Sequence, residues 1–240
     1  MSGHSKWSSI KRQKGLNDKK RGLTFTKLGN AITIAVKQGG GIGDPASNFR
    51  LRLAIDAARA SNMPKDNIER AIKRASGPEA GDISEVLYEG FGPGGISVIV
   101  EAATDNALRT TSEVKSIFNK ASGSFGQQGS VAYQFKHIGR IIAKKNGKSL
   151  DEIFSLAVDS GAEDVEDEGE EVAIYTSMPD LAKVRDSLSG QKIDIVEADL
   201  IREPVITVEV TDQEKLLKIE NFVNSLEELD DVQKVYTNLQ

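Results

Sequence analysis

The 240-residue sequence predicts an α+β fold of three domains: a helical N-terminal domain, then two ferredoxin-like α/β domains, one inserted in the other. Three observations predict it. Apolar residues recur with a helical period up to about residue 75 and with an extended period after about residue 82. Charge divides at nearly the same place. Residues 1–80 hold 16 Lys and Arg against 6 Asp and Glu, a net of +10; residues 81–240 hold 15 against 30, a net of −15. The whole-chain value of −5 therefore describes neither part. Finally, a complete β-α-β-β-α-β series lies between two β-α-β halves.

Composition excludes several classes. With 38% apolar residues the chain can bury a sizeable core. No apolar run approaches the roughly 18 residues of a membrane span, and the N-terminus is polar and charged rather than a secretory leader. The absence of Cys removes disulfides, thiolate nucleophiles and Cys-based zinc sites. A cytoplasmic protein without redox chemistry is expected.

The elements follow in order. Residues 1–22 carry Lys6, Lys11, Arg12, Lys14, Lys19, Lys20 and Arg21 against Asp18 alone, with Trp7, Ile10 and Leu16 as the only large apolar residues before residue 23. Such a segment reads as a mobile basic arm that orders on a partner. A helix is expected from Thr24, with Phe25, Leu28, Ile32 and Ala35 on its stripe and Gly39 as its stop. After the glycine-rich connector 39–43, Leu51, Ala54, Ile55 and Ala58 mark a second helix. Pro64 opens a third, striped by Ile68, Ala71, Ile72 and Ala75 and ended by Gly77-Pro78.

In the remainder, strands are expected at 96–101 and 131–135, around a helix bearing Val114, Ile117, Phe118 and Ala121. The inserted series has strands at 140–144, near Asp164, at 172–176 and at 193–201. Its first helix carries a Ser149/Glu152 capping box and its second starts at Pro179. A strand at 205–210, a helix with a Thr211/Glu214 capping box and a strand at 232–236 close the chain. Joining the outer halves gives domains at 1–80, at 81–136 with 204–240, and at 137–203. The rival arrangement, three independent small domains, leaves two half-units with unpaired edges.

Catalytic signals are poor. Residues 90–95 (GFGPGG) satisfy G-x-G-x-x-G, but Pro93 interrupts the motif and a strand follows, so a glycine-rich β-turn is expected. Gly147-Lys148-Ser149 resembles the end of a P-loop, yet Ile142 stands where its first Gly belongs. Residues 163–171 hold seven carboxylates in nine positions. They lack the calcium-loop Glu, because Tyr175 occupies its position, and read as a solvated hairpin tip. His4 and His137 belong to no recognisable triad or metal set. Basic residues say more. Cations of the arm can neutralise phosphates and release counterions, and Trp7 offers a stacking face. Arg52 and Arg59 are seven apart, hence on one helix face and off the apolar stripe. The competing explanations are a solvated helix face and a basic segment docked on the protein's own acidic domains.

Several blocks resemble the YebC/PmpR family of bacterial regulators, whose mitochondrial relative is a translational activator of cytochrome c oxidase. They are GHSKW (3–7), KKRG (19–22), FTKL (25–28), GGG (39–41), RLRLAIDAA (50–58), NMPKDNIERAI (62–72), YEGFGPGG (88–95), TDN with RT (104–110) and GSVAYQF (129–135). The resemblance spans the chain and implies the same nested three-domain fold and non-enzymatic control of gene expression. Two accounts attach to the family: transcriptional regulation through DNA, and ribosome-associated help for translation through proline runs. Departures occur at Arg12-Gln13, usually His-Arg, and at Ala107-Leu108, usually Arg-Asn; Arg109 remains.

The candidate nucleic-acid-binding residues are Lys6, Trp7, Lys11, Arg12, Lys14, Lys19, Lys20, Arg21, Lys27, Arg50, Arg52 and Arg59. The expected partner is nucleic acid, DNA or ribosomal RNA, together with the ribosome or the transcription machinery. No catalytic residue, metal, cofactor, membrane or small-molecule substrate is expected. The long glycine-rich link between the first two helices is unlike a helix-turn-helix and favours a structured RNA target. A scaffold whose arm docks on an acidic protein, and an enzyme holding a phosphate in the 90–95 loop, are the rival classes.

Overall fold

The computed structural model describes residues 18–77 and 83–240, with side chains described from residue 22 onward. The fold is α+β, and the chain divides into two compact units. One holds the residues up to Phe135 together with Pro204–Gln240, the other Lys136–Glu203.

The first unit begins with α1 (Asp18–Gln38), α2 (Phe49–Ala60) and α3 (Lys65–Ser76). The expected stripes build their common core: Ile32, Ala35 and Val36 of α1 meet Leu51, Ile55 and Ala58 of α2 and Ile68, Ala71 and Ala75 of α3. Full burial of one such Ile or Leu is worth about 1.5–3 kcal/mol. Helix α1 starts at Asp18, not Thr24, so Lys19, Lys20 and Arg21 are helical rather than part of an arm. The reason is local: Lys and Arg are good helix formers, and an acidic first residue suits the helix N-terminus.

The connector turns through Gly40 and Gly41, at φ +70° and +83°, and Asn48 holds it in place. The buried Asn48 amide donates to the carbonyls of Ala35 (2.9 Å) and Ile42 (3.1 Å), while its oxygen caps α2 at Leu51 N–H (3.1 Å).

The unit continues with β1 (Ser84–Phe91), β2 (Ser97–Thr104), α4 (Ala107–Lys120) and β3 (Ser124–Phe125), and ends with α7 (Gln213–Glu227) and β8 (Val232–Thr237). The strands order as β3-β1-β2-β8, with antiparallel neighbours. One sheet face packs Tyr88, Ile96, Val98 and Val100 against Val114 and Phe118 of α4 and Ile219, Phe222 and Leu226 of α7. Phe118 meets Phe222 edge-on, with centroids 5.0 Å apart. The 90–95 glycines make the turn between β1 and β2, where Gly94 and Gly95 have positive φ and a Cβ at Gly92 would strike Phe222.

Three strand expectations change here. Strand β1 was not anticipated, because Glu85, Glu89 and Gly90 are poor strand formers. The strand expected at 131–135 is a 3₁₀ turn, Ala132–Gln134. Buried Glu89 explains it: one carboxylate oxygen accepts Gly129 N–H (2.7 Å), the other Val131 and Ala132 N–H (2.8 Å each), taking donors a ladder would need. Residues 205–210 form no strand, only the single parallel bridge Val208–Leu239. Val205 N–H goes to Gln134 and Val208 N–H to Asn238, two separate partners that cannot make one ladder. Helix α7 is capped by Asp212, whose side chain accepts from Glu214 and Lys215 N–H, rather than by Thr211.

The second unit is entered through β4 (Phe135–Lys144), one continuous strand beginning before the expected residue 140, and left through β7 (Asp194–Pro204). Between them lie α5 (Leu150–Ser160), β5 (Asp164–Glu168), β6 (Glu171–Ser177) and α6 (Leu181–Gly190). The order β5-β6-β4-β7 is that of the expected β-α-β-β-α-β unit. Ile153 and Ala157 of α5 and Leu181, Val184 and Leu188 of α6 are fully buried. The Ser149/Glu152 capping box forms as expected. The acidic stretch is the tip of the β5–β6 hairpin, closed by the Glu168–Glu171 pair and turned at Gly169.

Candidate nucleic-acid interface

The basic helices can be built up residue by residue. Lys6, Trp7, Lys11, Arg12, Lys14 and His4 lie outside the described residues. Lys19, Lys20 and Arg21 fall on the first turn of α1.

Lys27 is turned inward, where its ammonium donates to the Glu227 carbonyl at 2.5 Å, at the C-terminal end of α7. Burial lowers its pKa to about 8, against the opposing pull of Asp230. Arg50 is exposed and donates to the Gln38 side chain at the end of α1. Arg52 is half-buried, with its guanidinium 5.3 Å from the centre of the Phe49 ring. Arg59 is exposed and pairs at 3.7 Å with Asp56 one turn earlier. The side chains of Arg50, Arg52 and Arg59 thus each have an intramolecular partner, and Lys27 has a structural one.

Helix α3 carries further cations, outside the candidate set expected from the sequence. Arg70, Lys73 and Arg74 are exposed, and among the described residues no hydrogen bond or ion pair holds them. Their i, i+3, i+4 spacing puts them on one face, away from the Ile68/Ala71/Ala75 stripe, which was the signal available. Lys65, at the other end of the helix, pairs with Glu69 at 3.4 Å. Residues 61–64 link α2 to α3, a turn of helix-turn-helix length, unlike the long connector between α1 and α2.

Arg109 serves the fold. Its guanidinium donates to Asp231 (2.7 Å) and Asp105 (3.0 Å), and the hydrogen bond to Asp231 raises its pKa further. The same Asp231 oxygen accepts the hydroxyls of Thr110 (2.6 Å) and Thr104 (2.9 Å). Burial pushes the Asp231 carboxyl up, but the hydrogen bonds from Arg109, Thr110 and Thr104 outweigh it and hold the pKa below the ordinary range. The TDN–RT block therefore clasps the start of α4 to the turn before β8. Among the described residues, no cluster of three His, Asp or Glu could hold a metal ion, and no helix is long and apolar enough to cross a membrane.

Two family models cover nearly the whole chain: the TACO1/YebC protein N-terminal domain over residues 5–78, and the TACO1/YebC second and third domain over residues 83–239. The chain belongs to the TACO1/YebC family. A probable transcriptional regulatory protein of Acidithiobacillus ferrooxidans is 50% identical over 241 residues, covering 99% of this chain and 94% of the relative. One from Syntrophomonas wolfei is 46% identical over 242 residues, covering 100% and 96%. Among solved structures, the conserved hypothetical protein Aq1575 from Aquifex aeolicus is 41% identical and superposes with a TM-score of 0.87, over 98% of this chain and 97% of that one. Three of the TACO1/YebC blocks quoted above fall on structural positions: the connector glycines, the 90–95 turn and the Asp231 clasp.

Proposed function

We propose that this protein is a non-enzymatic, cytoplasmic, nucleic-acid-binding regulator of gene expression, of the type its relatives are named for. In this reading, phosphates are contacted through the N-terminal arm and the helical domain, and the domains are 1–80, 81–136 with 204–240, and the inserted 137–203. The observation that carries it is the charge of the helical segment. Residues 18–77 hold twelve Lys and Arg against five Asp and Glu, and several of the cations are exposed, whereas residues 81–240 are strongly acidic. A polyanion is attracted to the first part and repelled by the second. The test is binding to duplex DNA and to structured RNA over a salt series. A Lys11/Arg12/Lys14/Lys19/Lys20/Arg21→Ala variant should lose affinity and flatten the salt dependence; unchanged values refute the reading.

One observation favours a ribosome-associated translation factor as the second reading. The turn at 61–64 would present the first half of α3 to base edges, as in a helix-turn-helix, but that half carries Asp66 and Glu69. Carboxylates there oppose insertion into a groove and suit contact with a folded RNA backbone better. Sedimentation separates the two: co-migration with ribosomal fractions supports this reading, and promoter footprints without ribosome association refute it.

A further inference from the structure

We propose that the C-terminal half of α3, through Arg70, Lys73 and Arg74, is a track that holds the sugar-phosphate backbone of a nucleic acid without reading its bases. The inference rests on the nucleic-acid reading above and assigns it a surface.

The three cations occupy one face within a little over a turn, so their Cβ atoms lie about 5–6 Å from one another. At that spacing like charges repel; Asp66 and Glu69 stand four residues before Arg70 and Lys73, but among the described residues neither carboxylate forms an ion pair with them. The ordinary role of cations at a helix end, interaction with its dipole, accounts for Lys73 and Arg74 in the last turn. It does not account for Arg70. The cations of α2 differ, since Arg50 is spoken for by Gln38, Arg52 by Phe49 and Arg59 by Asp56. A phosphate approaching α2 displaces an existing contact; one approaching Arg70, Lys73 and Arg74 displaces no hydrogen bond or ion pair among the described residues.

A Cβ at Gly43 would lie 2.5 Å from Ser76 Oγ and 3.1 Å from Ile72, so the connector runs alongside the end of α3. Farther along it, Gly40 and Gly41 are exposed and have open space where a side chain would stand. The opposite end of the helix has Asp66 and the Lys65–Glu69 pair. Charge along α3 therefore runs from mixed to basic, which positions a backbone at the C-terminal half. Contacts of this kind set register and affinity but carry no sequence information.

The test is an Arg70→Gln/Lys73→Gln/Arg74→Gln variant of the full chain, which keeps the aliphatic stems and the helix propensity. Affinity is read by fluorescence anisotropy on a duplex DNA and on a hairpin RNA across a KCl series. Three lost contacts should reduce the slope of log K against log[KCl] by about 2 to 3 and weaken binding about tenfold or more, equally for unrelated sequences. An Arg70→Lys/Arg74→Lys variant, which keeps the charge, should retain the wild-type slope, and this holds the test independent of any loss of folding. Unchanged affinity and slope in the Gln variant overturn the proposal; if the arm variant weakens binding in the same experiment, the nucleic-acid reading stands without it. A wild-type protein that binds neither probe overturns the reading itself. A loss seen only on DNA or only on RNA identifies which backbone the track holds.

Discussion

Replacing Glu89 with Gln removes a single charge from the interior of the first unit. The residue is 2% exposed, and its two oxygens receive the N–H groups of Gly129, Val131 and Ala132 at 2.7–2.8 Å. Hydrogen bonds to a charged acceptor contribute about 1.5–3 kcal/mol each, neutral ones about 0.5–1.5. The Gln carbonyl can serve Val131 and Ala132, but each bond weakens by about 1 kcal/mol. The Gln NH₂ then faces Gly129 N–H, donor against donor, and that bond is lost. The total is roughly 4 kcal/mol, with Glu89→Ala costing at least as much. Hydrogen–deuterium exchange of peptides spanning residues 126–135 measures it. At 1.4 kcal/mol per factor of ten, exchange of these amides should speed up roughly several-hundredfold, while the second unit keeps its protection. If Glu89→Gln leaves these amides as protected as in the wild type, the carboxylate does not hold the turn and the explanation for the missing strand fails.

Three further outcomes are expected. Gly39→Ala should destabilise the helical segment by roughly 1–3 kcal/mol in thermal melts, because the new Cβ collides with the Asn48 amide that caps α2, and Asn48→Ala should do the same. Lys27 has a pKa near 8 in the fold, against an ordinary 10.5. The unfolded chain therefore binds the extra proton between those values, so stability should rise with pH above 8; a Lys27→Met variant should show a flatter rise between pH 7.5 and 9.5 in denaturant melts. Asp231 is held below the ordinary carboxylate range, so its contribution is complete above about pH 4 and disappears as pH falls through its lowered value. The Tm gap between wild type and Asp231→Asn should be widest near neutrality and close in acid; a gap independent of pH would contradict the clasp.

Helices were the legible part of the sequence. In α2, α3, α5 and α6 an apolar stripe, a cap or a glycine stop is written into neighbouring positions, and the structure places them as the spacing implies. Strands with strong β-branched content, such as β2 and β6, were legible because that composition is local too. Strand β1 was not, because it pairs on both edges while carrying Glu and Gly, and its partner β2 supplies the reason for it to be extended. The apolar run 131–135 looked like a strand until Glu89, some forty residues earlier in the chain, took its backbone donors. Among the candidate contacts, Arg52 and Arg59 were found by spacing, but spacing does not reveal that Phe49 and Asp56 engage them.

Charge polarity, helical and extended periods, caps and the nested order of elements are local or additive properties, and they could be read from the chain alone. Which cation remains available to a partner, which carboxylate is buried, and which extended segment joins a sheet are questions of who else is within 3 Å. Those neighbours come from distant parts of the chain: Lys27 finds Glu227, Arg109 finds Asp231, and Glu89 finds Gly129. A hydrogen bond or an ion pair acts only at contact, so tertiary structure alone decided that, among the described residues, Arg70, Lys73 and Arg74 are held by neither while Arg50, Arg52 and Arg59 are engaged.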